Sequence, residues 1–185
     1  MTEEKLKVLA IDDEEFNLEI LERTLKKAGY ESISIEDGAK AWDYLQKNPN
    51  EINIVLLDKM MPNMNGIELL QKIKKHPELK DLPVILQTAS VGVNEVTEGI
   101  QAGAYYYLTK PFASEMLISI VNAAARDYRQ KVELLKKLNQ NKIILNLIRN
   151  ADFELKTLEE ARSLPHSLPI LLKLLLKLSL GFLRF

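Results

Sequence analysis

Five short apolar runs recur along the chain, the last mainly tyrosine and the others rich in valine, isoleucine and leucine: Lys7 to Ile11, Ser32 to Ile35, Ile52 to Leu57, Pro83 to Gln87 and Tyr105 to Leu108. Longer stretches lie between them, Phe16 to Ala28, Ala39 to Lys47, Gly66 to Lys75 and Val93 to Ala102, with apolar residues three and four apart; a fifth begins at Ala113. The short runs fit strands and the longer stretches fit helices with one apolar face. Helix stops fall where this reading needs them, at Ala28-Gly29, Ala102-Gly103 and His76-Pro77. Five strand and helix pairs in alternation predict an α/β fold, a parallel sheet covered on both faces. Such a sheet takes its ligands at the carboxyl ends of its strands, near the point where strand order reverses.

Polar residues collect at that same edge. The first run ends in Ile11-Asp12-Asp13-Glu14, and the third runs from Val55-Leu56-Leu57 straight into Asp58 and then Lys59-Met60-Met61-Pro62. The fourth ends in Gln87-Thr88-Ala89-Ser90 and the fifth in Leu108-Thr109-Lys110-Pro111. Taken singly these are ordinary residues, since acids and threonines cap helices and lysines are usually solvated. Asp12, Asp13, Asp58, Thr88 and Lys110 at the strand ends of one sheet point instead to a shared site. The chemistry they suit is metal-assisted phosphoryl transfer to a carboxylate. Three packed carboxylates repel one another unless a cation intervenes, and Mg²⁺ takes oxygen ligands while bridging to phosphate oxygens. Asp58 is then the nucleophile, Lys110 pairs with one phosphoryl oxygen and the Thr88 hydroxyl donates to another.

In these residues the chain resembles the response regulator receiver domains of two-component signalling, the CheY-like superfamily, over roughly Lys5 to Arg126. The acidic pair falls on Asp12 and Asp13, the phosphoacceptor on Asp58, the hydroxyl on Thr88 with the small Ala89 after it, and the Lys-Pro-Phe signature on Lys110-Pro111-Phe112. Met60-Met61-Pro62 and Asn65-Gly66 match the pieces that follow the acceptor. The resemblance implies a flavodoxin-like (βα)5 fold with strand order 2-1-3-4-5, and a cis Lys110-Pro111 bond. It implies a phosphorelay switch that takes its phosphoryl group from a histidine kinase or phosphotransfer protein and catalyses only its own phosphorylation and dephosphorylation. Mg²⁺ would be held by Asp12, Asp13, Asp58 and the Met60 backbone carbonyl, with Asp13 as the direct ligand of the acidic pair and Asp12 acting largely through water. Thr88 would move toward the phosphoryl group and Tyr107, the switch aromatic, would turn inward behind it, altering the face of helix 4, strand 5 and helix 5. The variable positions beside the site are Met60 and Ser90, neither a carboxylate nor an amide able to orient a hydrolytic water, so a long-lived phosphoryl group is expected.

Other classes fit less well. A haloacid dehalogenase phosphatase needs a second acid two residues after its nucleophile, where this chain has Met60. No GxGxxG or GxxxxGK[ST] loop supports a nucleotide-binding module. A degenerate receiver serving only as a protein scaffold would not need the five-residue set. The histidines do not suggest a kinase: His76 precedes a helix-ending proline and His166 lies between prolines. Charge is balanced, with 25 lysines and arginines against 26 aspartates and glutamates in 185 residues, so no global field argues for nucleic acid or an anionic membrane. The absence of cysteine removes thiolate chemistry, and the acidic start has no secretory pattern; the expected compartment is the cytoplasm.

The organisation expected is a receiver domain at 1–127, a helical linker at 128–150 and, at 151–185, the remnant of an output domain or an aberrant tail. No glycine or proline interrupts Ala113 to Ile148. A heptad through Val121, Ala124, Tyr128, Lys131, Leu135, Leu138, Lys142 and Leu145 is apolar except at its two lysines, which fits a coiled coil pairing two chains. A homodimer is therefore expected through this linker or the helix 4, strand 5, helix 5 face. The segment FELKTLEEAR, Phe153 to Arg162, is similar to the entrance of histidine-kinase-like ATPase modules. Ile170 to Phe185 is leucine-rich but short and interrupted by Lys173, Lys177 and Arg184, so no stable membrane insertion is expected.

Overall fold

A computed structural model of the chain describes residues 5–89 and 93–163. Strands and helices alternate: β1 (Lys7–Ile11), α1 (Glu15–Lys27), β2 (Glu31–Ile35), α2 (Gly38–Lys47), β3 (Ile54–Asp58), α3 (Gly66–Lys75), β4 (Val84–Thr88), α4 (Val93–Gln101), β5 (Tyr106–Thr109) and α5 (Ser114–Ser163). All strand pairs are parallel and the order is β2-β1-β3-β4-β5, the flavodoxin-like arrangement. Strand order reverses between β1 and β3, which places Asp12 and Asp58 on either side of the switch point.

Alternation along each strand builds two cores. Leu9, Ile11, Val55, Leu57, Val84 and Leu86 pack with Leu45 of α2 and with Leu70 and Ile73 of α3. On the opposite face Val8, Ala10, Ile54, Leu56, Ile85 and Leu108 meet Leu18, Leu21 and Leu25 of α1 and Leu117, Val121 and Ala124 of α5. The central strands β3 and β4 are buried throughout, whereas the edge strand β2 keeps Glu31 and Ser34 exposed.

Some boundaries differ from the sequence pattern. Ile52 is buried yet precedes β3, because the apolar run enters the core before the ladder begins; Asn53 exchanges hydrogen bonds with the Lys7 backbone at that point. β5 begins at Tyr106 and runs on to Thr109, which pairs with Thr88. Gly29 and Gly103 adopt positive φ of 86° and 93° just past α1 and α4, conformations that favour glycine at a helix end. His76 has ψ of 130°, the extended geometry that a following proline imposes. The Lys110-Pro111 bond is cis.

By its internal contacts the chain divides into residues 1–131 and 132–185. In the first unit, α5 buries Leu117, Ile120, Val121, Ala124 and Ala125. In the second, the helix exposes Leu134, Leu135, Leu138, Ile143, Ile144, Leu145 and Leu147. The backbone stays helical through 151–163, across the boundary expected at 150/151. Ser90 and the leucine-rich tail beyond Ser163 lie outside the described residues. Among the described residues no helix is long and apolar enough to cross a membrane.

Candidate functional site

Asp12 follows β1 directly, Asp58 and Thr88 end β3 and β4, and Lys110 follows β5. Backbone bonds at the strand ends hold this edge in place: the Lys59 amide donates to the Gln87 carbonyl at 2.8 Å and the Lys110 amide to the Thr88 carbonyl at 2.6 Å. Behind Asp58, α3 begins at Gly66, where a Cβ would overlap the Asp58 carbonyl oxygen and lie 2.9 Å from Lys59 Cα. A capping box fixes that helix start, with the Asn65 side chain accepting from the Glu68 amide while the Glu68 carboxylate accepts from the Asn65 amide.

Lys110 unites the site. Its ammonium lies 2.6 Å from Asp12 Oδ2 and 2.6 Å from Asp58 Oδ1, although it is 98 and 52 residues away from them in sequence. The other Asp58 oxygen, Oδ2, accepts from the Met60 amide at 2.6 Å. Asp12 Oδ1 accepts from the Glu14 amide at 3.1 Å and from Asn17 Nδ2 at 3.0 Å. Both carboxylates are buried, Asp12 to 1% and Asp58 to 6% of full exposure, and Thr88, at the end of the neighbouring strand β4, is fully buried.

Burial lifts the Asp58 carboxyl above its usual value; the Lys110 hydrogen bond and charge pull it back, the neighbouring Asp12 charge adds to the rise, and the Met60 amide opposes it. Burial also works against the charge of Lys110, but its hydrogen bonds to Asp12 and Asp58 outweigh this and raise the ammonium above the ordinary lysine value. Lys110 thus stays charged at neutral pH and keeps two buried carboxylates side by side.

The remaining expected residues are placed less tightly. Asp13 is exposed, and among the described residues no three acidic side chains close on a common point that could hold a metal ion. The Met60 side chain is exposed, and its amide is the group in contact with Asp58. All the candidate donors, the three aspartates and the Met60 carbonyl, are oxygens, which suits a hard cation. Three carboxylates set against one ammonium leave two negative charges uncompensated, the charge a divalent ion would match.

Tyr107 lies inward, packed on the same core as Leu86, and a Cβ on Gly99 of α4 would come within 2.8 Å of its ring. Its hydroxyl is buried without a hydrogen-bond partner among the described residues.

Sequence reasoning missed three participants. Asn17 orients Asp12 from the first turn of α1, and its signal was its position five residues after the acid. Lys59, next to Asp58, forms an ion pair of 3.2 Å with Glu98 of α4. Gln87 is a polar residue that follows three apolar ones in the buried strand β4.

A doubly wound parallel sheet with a buried acid pair bridged by lysine at its switch point defines a class of ligand-binding α/β domains. The family model for the response regulator receiver domain matches residues 8–122, and the chain belongs to that family, the receivers of two-component signalling. A chemotaxis protein CheY homolog of Campylobacter jejuni is 34% identical over 113 residues, 60% of this chain and 86% of that protein. The 3',5'-cyclic-nucleotide phosphodiesterase regA of Dictyostelium discoideum is 34% identical over 128 residues, 69% of this chain but 16% of that protein. Among solved structures, a response regulator receiver domain protein from Clostridium thermocellum matches with a TM-score of 0.63 at 28% identity, over 69% of this chain and 98% of that one.

Proposed function

We propose that Asp58 is the phosphoacceptor of a phosphorylation-dependent switch, charged by a histidine kinase or phosphotransfer protein in the cytoplasm. The observation that carries this reading is the Asp58 carboxylate itself, buried at the end of β3 with Lys110 on one oxygen and the Met60 amide on the other. One oxygen attacks phosphorus in line. The P–N bond of a phosphohistidine, or the P–O bond of an acyl phosphate, breaks with its electron pair leaving on the donor, and Asp58 becomes an acyl phosphate. Lys110 follows the transferred group and neutralises one phosphoryl oxygen, a role suited to a point charge on a flexible stem. The Thr88 hydroxyl donates to another. Asp12, Asp13, Asp58 and the Met60 carbonyl would hold Mg²⁺, which when bound neutralises charge on the phosphoryl oxygens. Asn17 and the Glu14 amide fix the orientation of Asp12 through its Oδ1. The domain performs this chemistry on itself alone.

The test is labelling. With Mg²⁺, acetyl phosphate should modify the protein once, at Asp58, and Asp58→Asn should abolish the label; a label that survives the substitution refutes the assignment.

A further inference from the structure

Gln87 is the polar side chain that the phosphoacceptor chemistry leaves unused. It stands in β4 between Leu86 and Thr88, is 1% exposed, and both its Oε1 and Nε2 are buried without a hydrogen-bond partner among the described residues. An amide in a strand core at this depth is normally paired, because each unpaired donor or acceptor loses its water and gains nothing. Packing alone would be better served by leucine or methionine.

Register shows what surrounds it. In the sheet Asp58 lies opposite Gln87 and Gln87 opposite Leu108, and registered neighbours in a parallel sheet share a face. Asp58 and Gln87 continue the alternation of Leu56 and Ile85, which pack toward α1 and α5 together with Leu108. Asp12 continues the alternation of Val8 and Ala10 on that same face. Lys110 starts beyond β5 and reaches Asp58 on β3 and Asp12 beyond β1, so its stem crosses the end of β4, where Gln87 lies. Its ammonium has three N–H donors, and the two aspartates take two of them.

We infer that Gln87 is a positioning residue for Lys110: its carboxamide oxygen accepts the third ammonium N–H when Lys110 turns from the Asp58 carboxylate to a transferred phosphoryl oxygen, and its NH₂ donates to the Asp58 carboxyl oxygen left behind. Both bonds are missing before transfer and form as it proceeds. Interactions realised only along the reaction accelerate it, whereas those already present in the ground state do not. The unpaired amide is thus a ground-state penalty relieved on phosphorylation. This inference rests on Asp58 being the phosphoacceptor.

The full chain, as parent, Gln87→Met and Gln87→Leu, should be compared in three measurements: initial labelling by acetyl phosphate with Mg²⁺, urea unfolding, and the side-chain amide signals of Gln87 in ¹⁵N-edited NMR. Both variants should unfold at the parental urea midpoint or above it, since two unpaired polar atoms are removed, yet label at least about tenfold more slowly, tenfold being the loss expected for even one of the two hydrogen bonds to charged groups. In the parent, the Gln87 amide signals should shift when Mg²⁺ and beryllofluoride are added. Labelling within twofold of the parent in both variants, or amide signals that stay fixed, would overturn the role. Slower labelling that merely tracks a lowered urea midpoint would overturn it too, in favour of packing. A parent that takes no label at Asp58 would instead defeat the phosphoacceptor reading itself.

Discussion

Two clusters of charge show how differently single residues are used in this domain. Within the site, Lys110 is committed to Asp12 and Asp58, where burial makes the ion pair depend on its geometry. Near the amino ends of the strands, Lys7 lies 2.6 Å from Glu51, whose other oxygen accepts from the Tyr44 hydroxyl at 2.6 Å. Those bonds to Lys7 and Tyr44 hold the Glu51 carboxyl below its usual 4.5. Burial first, and then Glu51, pushes the Tyr44 hydroxyl up to about 12. Because the folded-state value of Glu51 is depressed, its contribution to stability is present above the unfolded value and disappears as pH falls through the folded one. Glu51→Gln should therefore lower the urea midpoint at pH 7, and its difference from the parent should shrink as pH falls below 4.5. A difference that persists in acid would show that the carboxylate charge is not what stabilises this corner.

At the scale of elements, the site depends on how closely helices approach strand ends. Gly66 opens α3 against the peptide of Asp58, in a space that a methyl group would have to share with the Asp58 carbonyl oxygen and Lys59 Cα. Backbone, unlike a flexible side chain, cannot turn aside. Gly66→Ala should cost about 1–3 kcal/mol, the usual range for overpacking, and should slow labelling of Asp58 because the displaced backbone carries the proposed phosphoacceptor. Urea titration and acetyl phosphate labelling together check this; a variant with parental stability and rate would mean that the loop after β3 yields freely. Gly99 plays the corresponding part in α4, leaving room for the inward ring of Tyr107.

At the scale of the whole molecule, the proposed switch is expected to act through association. Leu135, Leu138 and Leu145 lie on the heptad that begins in the buried part of α5, and all three are exposed in the second unit. An isolated helix gains little from exposed leucines, whereas a second copy would bury them along a common seam. We propose a homodimer paired along this helix and strengthened by phosphorylation through α4, β5 and α5. Shifting such an equilibrium from 1:99 to 99:1 requires about 5.5 kcal/mol of differential binding, within reach of a few charge-assisted hydrogen bonds to the phosphoryl group. Sedimentation should show a larger dimer fraction with beryllofluoride and Mg²⁺, and Leu135→Glu with Leu138→Glu should return the chain to monomer. An unchanged balance in the parent would refute the coupling and leave the chemistry of Asp58 untouched.

The alternation of five apolar runs with five amphipathic stretches was readable because strand and helix periodicities are local, set by which face each residue turns to the core. The carboxyl edge was readable for the same reason: Asp58 and Lys110 stand where an apolar run stops, and parallel topology sends every strand end to one side. Local pattern placed the start of β3 at Ile52, since burial and ladder pairing look alike in a sequence. It also could not tell which of the edge residues touch. That Lys110 reaches across β4 to hold Asp12 and Asp58 together, while Asp13 faces outward, follows from a strand order that only the packed sheet establishes. Gln87 shows the division most clearly. The sequence displays a polar residue after an apolar run, but only cross-strand register, which joins residues far apart in the chain, sets it opposite Asp58, with its amide unpaired among the described residues.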